Sequence, residues 1–293
     1  MKKISIIIVT YNSEKDIYDC LDSIYQYNDI GDALEVIIVD NHSSEYVAMR
    51  ETILAQYPDV KIIQNSHNGG YGQGNNIGIH IAQAPIIAIM NPDVRLITPI
   101  FTAALDTLNF DDYIMCAGKQ MHTRNQAGWS YAFDFTILGK LQVIMRNIYK
   151  RFDYYDYRKM HLSGAFFFIK KKNFEEIGLF DENIFMYGEE CDIHQRLRKL
   201  YPNSKIRFLA KYPYLHLTVT RPFEEKRFLQ LLRGDMYVCE KHHLSVEKYL
   251  LIRLFAIRIC LIRCWLLGRR NNNEAYSYIK MKNIVRQMLK ESK

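Results

Sequence analysis

The chain has 293 residues, 48% of them hydrophobic and 24% charged, and a net charge of +7. Those proportions exclude a chain too polar to bury a core, and allow either one large α/β domain or an ordinary domain with an appendage. The basic excess, much of it late in the chain, favours anionic partners: nucleotides, phosphates, acidic lipid or nucleic acid. The six cysteines, Cys20, Cys116, Cys191, Cys239, Cys260 and Cys264, include no CxxC pair and read as reduced, mostly buried thiols of a cytosolic protein.

In chain order, Ile4–Val9 is a β-branched run expected of a central parallel strand covered on both faces. It follows two lysines but is too short for a signal peptide and leads straight into a turn, Thr10-Tyr11-Asn12. Ser13 is an expected N-cap for a helix carrying Ile17, Cys20, Leu21 and Ile24 at helical spacing. A second strand, Val36–Val39, ends at Asp40-Asn41, with Ser43 and Ser44 positioned to cap the next helix. A third, Val60–Ile63, leads into Asn68-Gly69-Gly70-Tyr71-Gly72-Gln73-Gly74-Asn75-Asn76-Ile77-Gly78. Five glycines in these eleven residues let the backbone approach a ligand closely, because no Cβ intervenes. Ile86–Met90 is a fourth buried strand and delivers Asn91-Pro92-Asp93 to its carboxyl end, the edge where open α/β sheets gather ligands. A glycine-rich loop followed by an acid there suits a phosphate-bearing, metal-bound substrate. Any one of the three polar clusters reads equally well as turn residues. Three in register along one edge point to a site.

Pro99–Leu108 is a predicted helix and Ile114–Ala117 a predicted strand. From Lys119 to His161 regularity fades. Trp129, Tyr131, Phe133, Phe135 and the Tyr149–Tyr157 stretch, with Arg146, Lys150 and Arg151, either cover a substrate or form an ordinary long insertion. Ser163–Ile169 returns to strand character. Glu189, Glu190 and Asp192 then open a helix whose apolar stripe is Ile193, Leu197 and Leu200. The helix dipole by itself explains acids at that end. Three carboxylates in four residues also raise at least one pKa by mutual repulsion, which suits a base. His216, alone in an apolar frame, reads on its own as structural. Beyond Pro222 the chain reads as helices rich in Arg and Leu. Leu250–Leu267 contains Arg253, Arg258 and Arg263, each costing ~2.5–3.5 kcal/mol at the centre of a bilayer, so a spanning helix is disfavoured. A helix on an anionic membrane surface and a helix packed on the rest of the protein both fit.

Val9–Asn12, Val39–Asn41 with Ser43-Ser44, the 68–78 loop, Asn91–Asp93, Ser163–Phe166 and Phe185–Asp192 together resemble glycosyltransferase family 2, the inverting GT-A enzymes, and within it bacterial rhamnosyltransferase-like members. The resemblance implies a Rossmann-like, mostly parallel sheet flanked by helices over residues 1–220, divided into a nucleotide-binding half (1–118) and an acceptor-binding half (119–220), with a helical extension at 221–293. It further implies that Thr10, Tyr11 and Asn12 wall a nucleotide pocket and that Asp40 accepts a hydrogen bond from a pyrimidine. Asn68, Gly70 and Asn75 fall where the family holds the nucleotide-sugar, and Gly164 falls in a further substrate motif. Asn91-Pro92-Asp93 stands in place of the family's DxD, with Asn91 replacing the first acid; Asp93 is then the ligand of Mg²⁺ or Mn²⁺ and His216 completes the site. Glu189-Glu190 stands where the family usually has Glu-Asp, the second being the base. Its extra methylene leaves deprotonation open between Glu190 and Asp192. The implied reaction is a single displacement from a dTDP- or UDP-sugar, rhamnose among the candidates, to a glycan hydroxyl on a polyprenyl-diphosphate carrier. That acceptor implies a cytoplasmic protein lying peripherally on the inner face of the cytoplasmic membrane.

Rival readings are weaker. A dinucleotide fingerprint should follow the first strand, whereas these glycines follow the third. A sugar nucleotidyltransferase should carry a glycine-rich loop with a basic residue after the first strand, and here Thr10-Tyr11-Asn12 stands there. A non-catalytic sugar-nucleotide binder has no need of the full set of acids, and the basic residues form no nucleic-acid recognition motif.

Overall fold

A computed structural model describes residues 1–134, 151–217, 222–269 and 272–291. Phe135, Arg146, Tyr149 and Lys150 of the aromatic, basic stretch lie outside these residues.

The strands are β1 (Ile4–Thr10), β2 (Leu34–Asp40), β3 (Lys61–Gln64), β4 (Ile86–Met90), β5 (Val94–Leu96), β6 (Tyr113–Thr123), β7 (Gln126–Ala127), β8 (Tyr131–Phe133), β9 (Met160–Leu162), β10 (Phe166–Lys170) and β11 (Lys205–His216). Between them lie α1 (Glu14–Gln26), α2 (Tyr46–Gln56), α3 (Gly70–Ile81), α4 (Phe101–Asn109), α5 (Lys171–Glu176) and α6 (Glu189–Leu200), and α7 (Glu225–Lys241), α8 (Val246–Leu266) and α9 (Asn273–Glu291) follow. One sheet runs β3-β2-β1-β4-β10-β6-β11-β5, with β7 on β6, and β8 and β9 form a separate pair. The first half is parallel: β1 lies between β2 and β4, with Thr10 opposite Asp40 and Ile8 opposite Met90. β10 then runs antiparallel to β4, so the start of β10 meets the end of β4 at Phe166 and Met90.

Burial explains the β-branched runs. Ile4, Ile6 and Ile8 pack with Ile17, Leu21 and Ile24 of α1 on one face. Ile7, Ile37 and Ile89 pack with Ile79 of α3 and Phe180 on the other. Strands apolar on both faces can sit only between two helical layers. A third cluster, Leu232, Cys239, Leu250, Leu254 and Val285, holds α7, α8 and α9 together. Among the described residues no helix is long and apolar enough to cross a membrane.

The serines depart from their expected role. Ser13 opens α1 through its backbone carbonyl, while its hydroxyl donates to the Tyr11 carbonyl. α2 starts after Glu45 with no side-chain cap, because Ser43 is engaged by Asp40.

Candidate active site

The site is built where β1, β2 and β4 end side by side. Asp40 is fully buried and accepts from Thr10 Oγ1 (3.0 Å), Ser43 Oγ (2.5 Å) and the Ser43 N–H (2.8 Å). Three of a carboxylate's roughly four lone-pair positions are thereby occupied. Asn12, in the left-handed region at φ 49°, joins the neighbouring turn: its N–H donates to Ser43 Oγ and its Oδ1 accepts from the Ser44 N–H. Tyr11 is exposed beside it. Two turns 30 residues apart thus form one cross-braced rim.

The glycine-rich stretch is a helix rather than a loop, and most of its glycines serve packing. A Cβ on Gly78 would meet Ile7 Cγ2 at 2.4 Å, and one on Gly74 would meet Val9 Cγ1 at 2.8 Å, so α3 lies directly on β1. Gly70, at φ +87°, turns the chain into α3 close under the Phe185 carbonyl. Asn68 Oδ1 accepts from the Gly70 N–H, while Asn41 Nδ2 donates to the Gly70 carbonyl. Asn75 donates back to Tyr71 O (2.9 Å), and its buried Oδ1 has no partner among the described residues.

Antiparallel pairing of β5 with β11 sets Val94 opposite His216. That register puts His216 Nε2 3.3 Å from Asp93 Oδ1, and the Leu217 N–H donates to the Asp93 carbonyl. Asn91 Oδ1 and His216 Nδ1 are buried without a partner among the described residues. A carboxylate and an imidazole, with an orphaned amide oxygen two residues from the carboxylate in sequence, are donor types that suit a divalent cation.

The Asn91 N–H donates to the Ala165 carbonyl (2.8 Å), and the preceding residue, Gly164, donates its N–H to Glu190 Oε1 (3.1 Å). Asp93 and Glu190 therefore belong to the same end of the β4–β10 pair. Tyr71 joins the same edge: its hydroxyl donates to Gly164 O (2.8 Å). Burial, then the charges of Glu190, Glu189 and, more weakly, Asp93, push its phenol well above the ordinary value. Tyr71 lay inside the quoted motif, but nothing in its spacing marked it out.

The three acids of α6 have three different surroundings. Glu189 is buried, and burial together with the neighbouring Glu190 charge raises its pKa well above the carboxylate range. Glu190 is half-buried and faces Gly164, with no cation paired to it among the described residues. Asp192 points away, into Arg196 (2.6 Å), Lys241 (2.8 Å) and His242 (2.8 Å). Burial opposes its charge, but His242, Arg196 and Lys241 outweigh it and hold the pKa low. Lys241 also reaches Asp181 (2.6 Å), fastening α7 to the segment before α6. Lys241 and His242 carry no motif, and sequence reasoning missed them.

His194 is another residue the sequence did not signal. Its Nε2 accepts from the Leu162 N–H (3.1 Å), so its Nδ1 carries the proton and donates to the Glu190 carbonyl (2.8 Å). Complete burial, helped by Arg198 and His161, holds its pKa down to about 3. Nearby, Asp134, His161 and Cys191 bring donor atoms within 4.8 Å of one another, close enough for an ion. Asp134 already accepts from Arg198, Gln195 (3.1 Å) and His161 (3.2 Å), which gives it a structural partner set.

The signature of Glycosyl transferase family 2 matches residues 5–178, more than half of the chain. The chain belongs to glycosyl transferase family 2. Among curated proteins it is similar to the low-salt glycan biosynthesis hexosyltransferase Agl10 of Haloferax volcanii, 27% identical over 210 residues, covering 67% of this chain and 62% of that one. It is also similar to polypeptide N-acetylgalactosaminyltransferase 4 of Caenorhabditis elegans, 20% identical over 71% of this chain and 39% of that one. The chain thus spans under two thirds of the length of either relative. Among solved structures, the Pyrobaculum calidifontis mannosyltransferase PcManGT, in complex with GDP-Man and Mn²⁺, superposes with a TM-score of 0.64 at 14% identity, covering 96% of this chain and 86% of that one. S. aureus TarS in complex with UDP gives 0.57 at 15% identity, covering 97% and 91%. At such identities the likeness concerns the fold. The fold is GT-A, followed by a helical C-terminal segment.

Proposed function

We propose that this family member is an inverting, metal-dependent glycosyltransferase that moves a hexose from a pyrimidine nucleoside-diphosphate sugar to a hydroxyl of a surface-glycan acceptor. The observation that carries the reading is the bridge from Asp93 through Asn91, Ala165 and Gly164 to Glu190, which brings a candidate metal ligand and a carboxylate with no cationic partner among the described residues to one edge. Thr10, Tyr11, Asn12, Asp40, Asn68, Gly70 and Asn75 line the nucleotide side of that edge. Asp93 and His216 would hold the cation, and an imidazole donor would favour Mn²⁺ over Mg²⁺. When bound, the cation offsets the charge gathering on the departing diphosphate.

Glu190 is the base. Asp192 is engaged by Arg196, Lys241 and His242, and burial beside the Glu190 charge disfavours the charged form of Glu189. The acceptor oxygen attacks the anomeric carbon and its proton passes to Glu190, while the bond from that carbon to the phosphate oxygen breaks toward the diphosphate. One base opposite one leaving group gives inversion. Neighbours that bind GDP-Man or UDP support a nucleotide-sugar donor; dTDP- or UDP-sugars remain the choice from the sequence, with rhamnose among them.

A lipid-linked acceptor and a peripheral position on the inner face of the cytoplasmic membrane complete the reading. Ile262, Trp265, Leu266 and Leu267 are exposed at the end of α8, beside exposed Arg258, Arg263 and Arg269. Apolar and aromatic side chains among cations suit an anionic lipid surface. Because α7 also pairs with Asp192, point charges at Trp265 and Leu266 test this better than a deletion: they should release the protein from anionic vesicles. The decisive experiment is a donor screen read by nucleoside diphosphate release, with and without MnCl₂. Release of pyrophosphate instead would make the protein a nucleotidyltransferase.

A further inference from the structure

A cavity of about 300 Å³ lies between the start of α6 and the C-terminal helices, and Glu190 is one of its walls. Tyr187 faces it from the catalytic side; Asp235 of α7 and Tyr249, Arg253 and Ala256 of α8 close it from the other. Its size falls at the lower end of the range for small-molecule sites. The helical segment is fitted tightly there, since a Cβ on Gly234 of α7 would stand 2.5 Å from the Tyr187 carbonyl.

The polar wall is organised. Asp235, 4% exposed, accepts from the Tyr249 hydroxyl and from Arg253 Nη2 at 2.9 Å, and Arg253 Nε donates to the Tyr249 oxygen at 3.0 Å. The guanidinium is therefore fixed and charge-balanced, with N–H groups to spare among the described residues. A charge-balanced pair offers little net attraction to a phosphate. Oriented donors beside aromatic and aliphatic surface suit a neutral, hydroxyl-rich ring.

The geometry points to this cavity as the site of the acceptor's terminal sugar, with Arg253 and Ala256 determining which sugar enters. The inference rests on reading Glu190 as the base, because the attacking hydroxyl must reach that carboxylate. It makes the C-terminal helices part of the substrate site.

The test uses the full chain and four probes, the octyl glycosides of glucose, galactose, mannose and N-acetylglucosamine, with binding read by saturation-transfer NMR. At least one should bind the wild type. Ala256→Trp, which fills the cavity, should weaken that binding at least tenfold. Arg253→Lys, which keeps a cation on Asp235 but loses the fork, should weaken it several-fold. Thermal shifts on adding UDP, dTDP or GDP with MnCl₂ report the nucleotide side separately and should persist in both variants. Absence of binding by all four glycosides, or equal binding by Ala256→Trp and wild type, would overturn the inference. Absence of any nucleotide shift in the wild type would instead count against the transferase reading.

Discussion

Replacing Glu190 with Gln isolates the proposed base from the fold. The Glu190 side chain makes one described hydrogen bond, from the Gly164 N–H, and a glutamine oxygen can accept it equally well. No ion pair is broken among the described residues. The charge removed is also one of the influences that raise the Glu189 pKa, so folding should be unaffected or slightly favoured. Catalysis should suffer differently. Loss of a general base costs about 10²–10⁴ in rate, or about 3–5 kcal/mol of barrier. The assay is nucleoside diphosphate release at saturating donor, with a melting curve on the same preparation. The expected result is a rate loss in that range with an unchanged Tm. Turnover within about threefold of wild type would remove Glu190 as the base, because less than 1 kcal/mol is too little for that role. A large fall in Tm would make the residue structural.

Asp192→Asn should behave in the opposite way. It leaves Arg196, Lys241 and His242 around a neutral amide, costing about 3 kcal/mol, the low end for a buried pair because the Lys241 side chain is 27% exposed. Tm should fall by roughly 6–12 °C, with the turnover of the folded fraction retained. Gly164→Ala would put a Cβ 2.6 Å from Glu190 Oε1. The flexible carboxylate can yield, so melting should barely change while turnover falls about 10–100-fold as the base is displaced. His194 is held neutral by burial, with its pKa down at about 3 against 6.5 for an unburied histidine. Its contribution is therefore complete above about pH 6.5 and is lost as pH falls toward 3. Urea midpoints should decline across that window, and His194→Asn, less stable at pH 7.5, should show a shallower decline. Asp192, whose pKa is lowered, adds its own loss only at lower pH, below the ordinary aspartate value of about 4.

Much of the fold could be read from local pattern. Ile4–Val9 and Ile86–Met90 are uniformly apolar because both faces of a central parallel strand are covered, and that requirement is written residue by residue. Thr10, Asp40 and Asn91 could be placed on one edge because parallel strands of similar length end together. The resemblance to glycosyltransferase family 2 was carried by the order of such pieces.

Other features were decided only by tertiary packing. The glycines of α3 suggested an open, ligand-facing loop, yet Gly74 and Gly78 let a helix rest on Val9 and Ile7. Glycine content reports a close approach without naming what approaches. His216 meets Asp93 through the β5–β11 register, across more than a hundred residues. Asp192 looked as suitable a base as Glu190 until Lys241 and His242 were folded onto it, and the helices after residue 220 looked like an appendage until they closed the cavity beside Glu190. Periodicity along a chain records which side of an element is buried. It does not record which distant charge will face it, and that pairing separates a free carboxylate from a structural one.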